Sequence, residues 1–81
     1  MRYSVCYEGE FFFGDKKGWN EYEARDWNDA YDMYRVARTC KMRAYIKDHD
    51  EDVCYEDGEW YWNFGSMIVA RRRKVGRGIF M

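Results

Sequence analysis

The densest group of side chains that could take part in chemistry is the acidic run DHDED at residues 48–52. Its three aspartates match positions 1, 3 and 5 of a calcium-binding loop, and Glu59 falls at position 12. Position 6 of such a loop is a glycine that permits a sharp turn, whereas this chain has Val53 there. The flanking residues alternate as strands do, not as helices do. We therefore interpret the run as an acidic hairpin loop and expect no bound metal.

The three cysteines, Cys6, Cys40 and Cys54, are the other candidates for reactive or metal-ligating groups. No two of them have the close spacing of a zinc knuckle, so a zinc site shared with His49 is not indicated. Their odd number favours free thiols and a reducing cytoplasm over a disulfide framework. Cys54 lies among acids, which disfavour a thiolate, and the chain has no nucleophile elbow or phosphate-binding loop. We expect a non-enzymatic protein without a cofactor.

Charge is distributed unevenly along the chain, although the formal net charge is only −1. Residues 1–70 carry nine Lys or Arg and fifteen Asp or Glu, whereas residues 71–81 carry five cations and no acid. Such an end segment is typical of binding to phosphates or to an acidic protein surface. The alternative is a solubilising end, or an edge strand protected by its charge. The candidate partner-binding cations are Arg71, Arg72, Arg73, Lys74 and Arg77.

The acidic residues form two groups, one between residues 21 and 32 and the other between residues 48 and 59. Spaced carboxylates can imitate the phosphates of a nucleic acid and occupy a basic channel on another protein. An ordinary solvated surface is the simpler alternative. From the second group we take as candidate partner-binding residues Asp48, Asp50, Glu51 and Asp52.

The elements that position these groups follow from the hydrophobic periodicity. Alternating residues predict strands at 3–8, 19–24, 41–48, 53–56, 59–64 and 67–70, with residues 10–13 extending or repeating the first. Asp26 is a suitable N-cap for a helix at residues 27–39, where apolar residues recur every three or four positions. The pattern predicts an α+β fold, with one helix packed on an antiparallel sheet of about five strands.

Length and composition limit the size and the class of the domain. Residues 1–81 are too few for two cores, so we expect a single compact domain with residues 71–81 as a basic C-terminal strand or tail. Aromatic residues make up 21% of a chain that has no leucine, which predicts an aromatic core. The predicted core residues are Tyr3, Val5, Trp27, Tyr34, Ile46, Trp60 and Trp62. No apolar run approaches the ~20 residues of a membrane span, and the N-terminus has no apolar signal core. We expect a cytoplasmic protein without membrane contact.

The order of the elements resembles that of small phage-encoded proteins. The resemblance is carried by the strand NEYEA at 20–24, the helix capped by Asp26, and YEDG at 55–58 followed by Trp60. In particular, the chain is similar to the single-helix, five-strand anti-CRISPR proteins that block type I surveillance complexes. The resemblance covers residues 3–64 and excludes the basic segment. It implies an inhibitor that occupies a nucleic-acid site through basic residues or an acidic mimic face.

We therefore expect a small phage-type inhibitor that docks on a host protein or nucleoprotein complex and blocks its nucleic-acid site. The alternative is a protein that binds nucleic acid directly through the basic segment. Salt dependence distinguishes the two, because a protein that uses five cations on DNA loses affinity steeply as the salt concentration rises. The sequence leaves open the target, the choice between the acidic and the basic surface, and a monomeric or homodimeric state.

Overall fold

The computed structural model describes residues 2–62, with the side chain of Trp62 excepted. These residues form five strands and one helix, joined by loops. In chain order they are β1 (Tyr3–Glu8), β2 (Trp19–Ala24), α1 (Trp27–Thr39), β3 (Ala44–Asp48), β4 (Val53–Glu56) and β5 (Glu59–Trp62). The strands form one antiparallel sheet in the order β2-β1-β3-β4-β5, and α1 packs on one of its faces. The predicted α+β class with one helix and five strands is confirmed. The strand predicted at 67–70 and the basic segment 71–81 lie outside the described residues.

The core lies between α1 and the face of the sheet to which β1 contributes its odd-numbered residues. Val5 pairs with Tyr22 of β2 on one side and with Ile46 of β3 on the other. Val5, Tyr7 and Ile46 are almost completely excluded from water. The helix covers them with Ala30, Met33, Tyr34 and Ala37. Removing this apolar surface from water is the main favourable contribution to folding.

Trp27, at the start of α1, joins the aromatic side chains of the core. Its ring centroid lies 5.5 Å from that of Tyr3, 5.4 Å from that of Tyr55 and 5.7 Å from that of Trp60. Of the predicted core residues, Tyr3, Val5, Tyr34, Ile46 and Trp60 are buried, and Trp27 packs against them partly buried. The side chain of Trp62 lies outside the described residues. Aromatic rings therefore fill the space that leucine fills in most small domains.

The N-terminus of α1 is fixed by the predicted cap. Asp26 has an extended backbone, and its carboxylate accepts a hydrogen bond from the amide of Asp29 at 2.8 Å. This bond satisfies one of the amides that the first helical turn leaves without a partner. The helix therefore begins at Trp27, as predicted.

The C-terminus of α1 shortens the strand that follows it. Lys41 adopts a left-handed conformation with φ +62°, and the amide of Met42 donates to the carbonyl of Ala37 at 3.0 Å. Together they close the helix with the geometry of a Schellman motif. The prediction that β3 starts at residue 41 is therefore wrong, and the strand begins at Ala44.

No helix within residues 2–62 is long and apolar enough to span a membrane.

Candidate interaction surfaces

Two groups of acidic residues that are distant in sequence meet at one end of the sheet. The pairing of β1 with both neighbours places Ser4 opposite Glu23 on one side and Lys47 on the other. Beyond Lys47, His49 opens the β3–β4 turn, and its Nε2 lies 3.7 Å from Oε2 of Glu21. The β2 carboxylates therefore lie beside the turn. We call the acidic end the five exposed residues Glu21, Glu23, Asp50, Glu51 and Asp52.

Asp48 is not part of the acidic end, although the sequence grouped it with its neighbours. Its side chain is fully buried, and its Oδ1 accepts the amides of Asp50 at 3.0 Å and Glu51 at 3.2 Å. Aspartate commonly folds a turn in this way, by bonding the backbone amides that follow it. The prediction that Asp48 contacts a partner is corrected accordingly: a buried carboxylate cannot reach one, and Asp48 instead positions the exposed acids of the turn.

The other predicted partner-binding acids, Asp50, Glu51 and Asp52, are exposed as expected. Asp52 adopts φ +57°, and its amide donates a hydrogen bond to the carbonyl of Asp48 at 2.9 Å, which closes the turn. The predicted basic residues, Arg71, Arg72, Arg73, Lys74 and Arg77, lie outside the described residues. The structure thus brings together the exposed residues of the acidic candidate surface.

Ser4, His49 and Glu21 form a group whose residue types resemble a hydrolytic triad. The Oγ of Ser4 lies 2.8 Å from Nε2 of His49, and the carboxylate of Glu21 approaches the same nitrogen. In a triad the acid bonds the opposite ring nitrogen, and the serine faces an open site. Here Ser4 is only 1% exposed. The geometry is that of a structural link, which ties β1 and β2 to the β3–β4 turn.

The thiol of Cys6, in β1, is not activated. Cys6 and Cys54 are buried, whereas Cys40 is exposed at the end of α1, and all three are free. Burial raises the pKa of the Cys6 thiol, and the hydrogen bond with Tyr45 opposes this effect only in part. A thiol with a raised pKa is a poor nucleophile at neutral pH. Residues 2–62 contain no group of three or more His, Cys, Asp or Glu side chains that could hold a metal ion.

The β1–β2 loop, residues 9–18, is longer than the sequence predicts, because residues 10–13 belong to it. One oxygen of Asp15 accepts the amides of Phe11 at 2.9 Å and Phe12 at 2.7 Å, and also the hydroxyl of Tyr7 at 2.7 Å. These bonds fold the segment into a compact turn, so the prediction that residues 10–13 extend the first strand is wrong. Three consecutive phenylalanines are themselves a signal against a half-buried strand, whose side chains alternate between two faces.

The three phenylalanines of this loop differ in what they contact. Phe12 stacks on Tyr22, with ring centroids 5.8 Å apart and planes inclined by 15°, and meets Tyr7 edge-on. Phe11 is 41% exposed and packs edge-on against Phe12. Phe13 has a relative exposure of 105% and projects into solvent. Phe12 therefore fastens the loop to the sheet, and Phe13 forms its tip.

A cleft of about 460 Å³ lies between α1 and the β4–β5 turn. Arg38 lines it, and its Nη1 lies 2.9 Å from Oδ1 of Asp57 and 3.9 Å from Oε2 of Glu56. Tyr34 accepts the amide of Asp57 at 2.9 Å, and burial raises the pKa of Tyr34 to about 12. The protein's own acids thus pair with Arg38, whereas a second arginine of the cleft, Arg35, is exposed.

No family model matches the chain, and neither does any curated protein or solved structure. The resemblance to anti-CRISPR proteins therefore rests on the order of elements and a few residue types. Function is accordingly inferred from the geometry and charge of the acidic end, the β1–β2 loop and the cleft.

Proposed function

We propose that this protein is a small, non-enzymatic binding protein that docks through its acidic end on a basic nucleic-acid site of a larger complex. The observation that carries the proposal is the convergence of five exposed carboxylates from two separate segments at one end of the sheet. Residues 2–62 carry nine Lys or Arg and fifteen Asp or Glu, a net charge of −6, so the field around them is negative. Such a field attracts a basic surface and accelerates the encounter with it.

The spacing of the carboxylates supports an imitation of nucleic acid. Glu21 and Glu23 are two residues apart in β2 and so share one face, at a distance of about 6.8 Å along the strand. This distance is about twice the ~3.4 Å axial rise between phosphates in one DNA strand. The acids of the β3–β4 turn stand beside them on a backbone that Asp48 holds in place. Because β2 and the β3–β4 turn are both ordered before binding, the protein loses little conformational entropy when it docks.

The biological setting that best fits this binding mode is inhibition. A domain of this size that occupies a nucleic-acid site excludes the nucleic acid from it. The order of elements, which resembles that of the anti-CRISPR proteins, supports an inhibitor of the phage-encoded type. It acts in the host cytoplasm, on a host protein or nucleoprotein complex.

The proposal is tested with two variants of equal charge change. The acidic-end variant carries Glu21→Gln, Glu23→Gln and Glu51→Gln, and the control carries Glu8→Gln, Asp32→Asn and Glu59→Gln at exposed positions elsewhere. Parent, variant and control are immobilised and exposed to a nuclease-treated bacterial lysate. We expect the parent and the control to retain the same nucleic-acid-binding protein, which salt elutes, and the acidic-end variant to lose it. Equal retention on all three columns would overturn the proposal.

A second candidate function is supported by the charge of residues 71–81, which hold five cations and no acid. In this case the chain binds nucleic acid directly, through Arg71, Arg72, Arg73, Lys74 and Arg77. Anisotropy of a labelled duplex at several salt concentrations tests it, because each neutralised phosphate contributes about −0.9 to the slope of log K against log salt. Replacing Arg71, Arg72 and Arg73 by Ala should flatten that slope. A parent protein without measurable duplex affinity at low salt eliminates this function.

A further inference from the structure

We propose that the β1–β2 loop is a second docking surface, which inserts Phe13 into an apolar pocket of a protein partner. The loop joins the end of β1 to the start of β2, whereas the acidic end lies at the opposite end of these strands. β1 has six residues, so its two ends lie about 17 Å apart. The inference therefore goes beyond the proposed function and stands independently of it.

Phe13 contributes no packing to the part of the fold that the structure describes. Its exposure of 105% means that it packs on none of residues 2–62, whereas rings such as those of Tyr7 and Trp60 are almost fully buried. A phenyl group buries roughly 150–250 Å² when it enters an apolar environment. Aromatic residues, phenylalanine among them, are enriched at the buried cores of protein interfaces. Phe13, with Phe11 beside it, has the properties of an anchor for such a core.

The loop holds Phe13 in a fixed position before any partner binds. On one side, Asp15 accepts the amides of Phe11 and Phe12 and the hydroxyl of Tyr7. On the other side, Nδ2 of Asn20 donates to the carbonyls of Gly9 at 2.9 Å and Lys16 at 2.8 Å, and its Oδ1 accepts the amide of Lys16 at 3.2 Å. The amide of Gly9 donates to the carbonyl of Gly18 at 2.9 Å. A loop backbone held by such a network loses little further entropy on binding.

The charges near the tip indicate what kind of pocket fits it. Lys16 and Lys17 follow Phe13 closely in sequence, Glu10 precedes the three phenylalanines, and all three charged residues are exposed. An apolar pocket whose rim carries charges of both signs complements this arrangement. An anionic membrane fits less well, because Glu10 and Asp15 of the same loop offset the two lysines, which alone would contribute only about 1 kcal/mol each.

A second copy of the chain is also a poor occupant. If Phe11 and Phe13 of two copies met tip to tip, they would bury less than roughly 600–1,000 Å² in total, because Phe11 is only 41% exposed before contact. A stable interface buries about 1,200 Å² or more. The partner that the loop fits is therefore another protein.

Photocrosslinking tests this assignment because it captures a bound partner of any identity. The photoreactive residue p-benzoylphenylalanine replaces Phe13 in one sample and Asn28, an exposed residue of α1, in the control. Both samples are irradiated in a bacterial lysate, and the crosslinked peptides are sequenced by mass spectrometry. We expect the Phe13 position to capture one discrete protein at apolar residues, which the Asn28 position does not capture. The captured protein is then purified and titrated with the parent and with Phe13→Ser, whose dissociation constant should rise by about 30-fold or more at an unchanged melting temperature.

Every other outcome contradicts the proposal. Crosslinking only to a second copy assigns the loop to self-association. If the protein pellets with vesicles of phosphatidylglycerol and phosphatidylethanolamine, and Phe13→Ser abolishes this pelleting, the loop binds a membrane instead. Equal capture from both positions, or an unchanged dissociation constant for Phe13→Ser, removes the loop as a docking surface. The acidic-end variant should retain the Phe13 crosslink, so failure of the proposed function is distinguishable from failure of this inference.

Discussion

The hydroxyl of Tyr7 donates a hydrogen bond of 2.7 Å to the carboxylate of Asp15, and this bond connects the core of the domain to the β1–β2 loop. Tyr7 is 1% exposed and lies on the face of β1 that packs against α1. Asp15 also bonds the amides of Phe11 and Phe12. The position of the loop therefore depends on the folded core, and a change at either end of this bond should affect the other.

We expect acid to release the loop before it unfolds the domain. Burial raises the pKa of the Asp15 carboxyl, but the hydrogen bonds from Phe12, Tyr7 and Phe11 outweigh burial and hold the pKa below its usual value of 3.8. The order that this carboxylate provides is therefore present above pH 3.8 and lost as the pH falls through its lowered pKa. Amide hydrogen exchange should show faster exchange at Phe11 and Phe12 in Asp15→Asn at neutral pH. Slow exchange at both amides in that variant would contradict the role of Asp15.

Alkaline pH should destabilise the whole domain. Burial, followed by the hydrogen bond to Asp15, raises the pKa of Tyr7 to about 12 from the usual 10, and burial raises the pKa of Tyr34 to about 12. Between these values the unfolded chain releases protons that the folded protein retains, so the free energy of unfolding falls from about pH 10 to about pH 12. Urea denaturation at pH 9 and pH 11 measures the fall, which should be smaller in Tyr7→Phe. An equal fall in that variant and the parent would show that Tyr7 titrates normally.

Removal of the buried Asp48 carboxylate should destabilise the fold. Asp48→Ala leaves the amides of Asp50 and Glu51 without their acceptor, at a cost of about 1–3 kcal/mol. Asp48→Asn keeps an acceptor oxygen and should cost less. The control is Glu51→Ala at an exposed position, which should change stability by less than about 0.5 kcal/mol. Chemical denaturation of the three variants measures these differences in stability. An Asp48→Ala variant as stable as the parent would contradict the role of Asp48 in holding the turn.

The aromatic core should tolerate no truncation at its centre. Trp27 contacts the rings of Tyr3, Tyr55 and Trp60, so Trp27→Ala or Trp60→Ala should cost about 3–5 kcal/mol. A loss of this size unfolds much of a domain of 81 residues at physiological temperature. Val36→Ala, on the exposed side of α1, is the matched control and should melt as the parent does. Melting temperatures equal to that of the parent in both tryptophan variants would show that the core lies elsewhere.

The sequence predicts those elements whose boundaries are set by local chemistry. β1, β2 and α1 occur at the predicted residues, because alternation specifies the strands and Asp26 specifies the helix start. Where the prediction fails, a turn closed by short-range hydrogen bonds ends or delays a strand that the alternation of residues predicts. The bond from Met42 to Ala37 delays β3, and the bonds to Asp15 turn residues 10–13 away from the strand.

The candidate surfaces are less accessible to sequence reasoning than the fold is. The two acidic groups are visible as charges in sequence, but they meet only because β1 pairs with both β2 and β3, and local patterns do not specify strand order. The burial of Asp48 likewise cannot be predicted from local sequence patterns. Its neighbours in the acidic run are exposed, and only the direction in which the strand ends turns Asp48 inward.

Displacement of nucleic acid by the acidic end is the sharpest test of the proposed function. The protein captured by the immobilised parent is purified, loaded with a fluorescently labelled duplex or guide strand, and titrated with parent, acidic-end variant and control while anisotropy is recorded. We expect the parent and the Glu8, Asp32 and Glu59 control to release the nucleic acid at near-stoichiometric concentrations. The acidic-end variant should need at least about tenfold more, which corresponds to about 1.4 kcal/mol. Nucleic acid that stays bound at saturating parent, or that all three proteins release equally, would contradict docking through the acidic end.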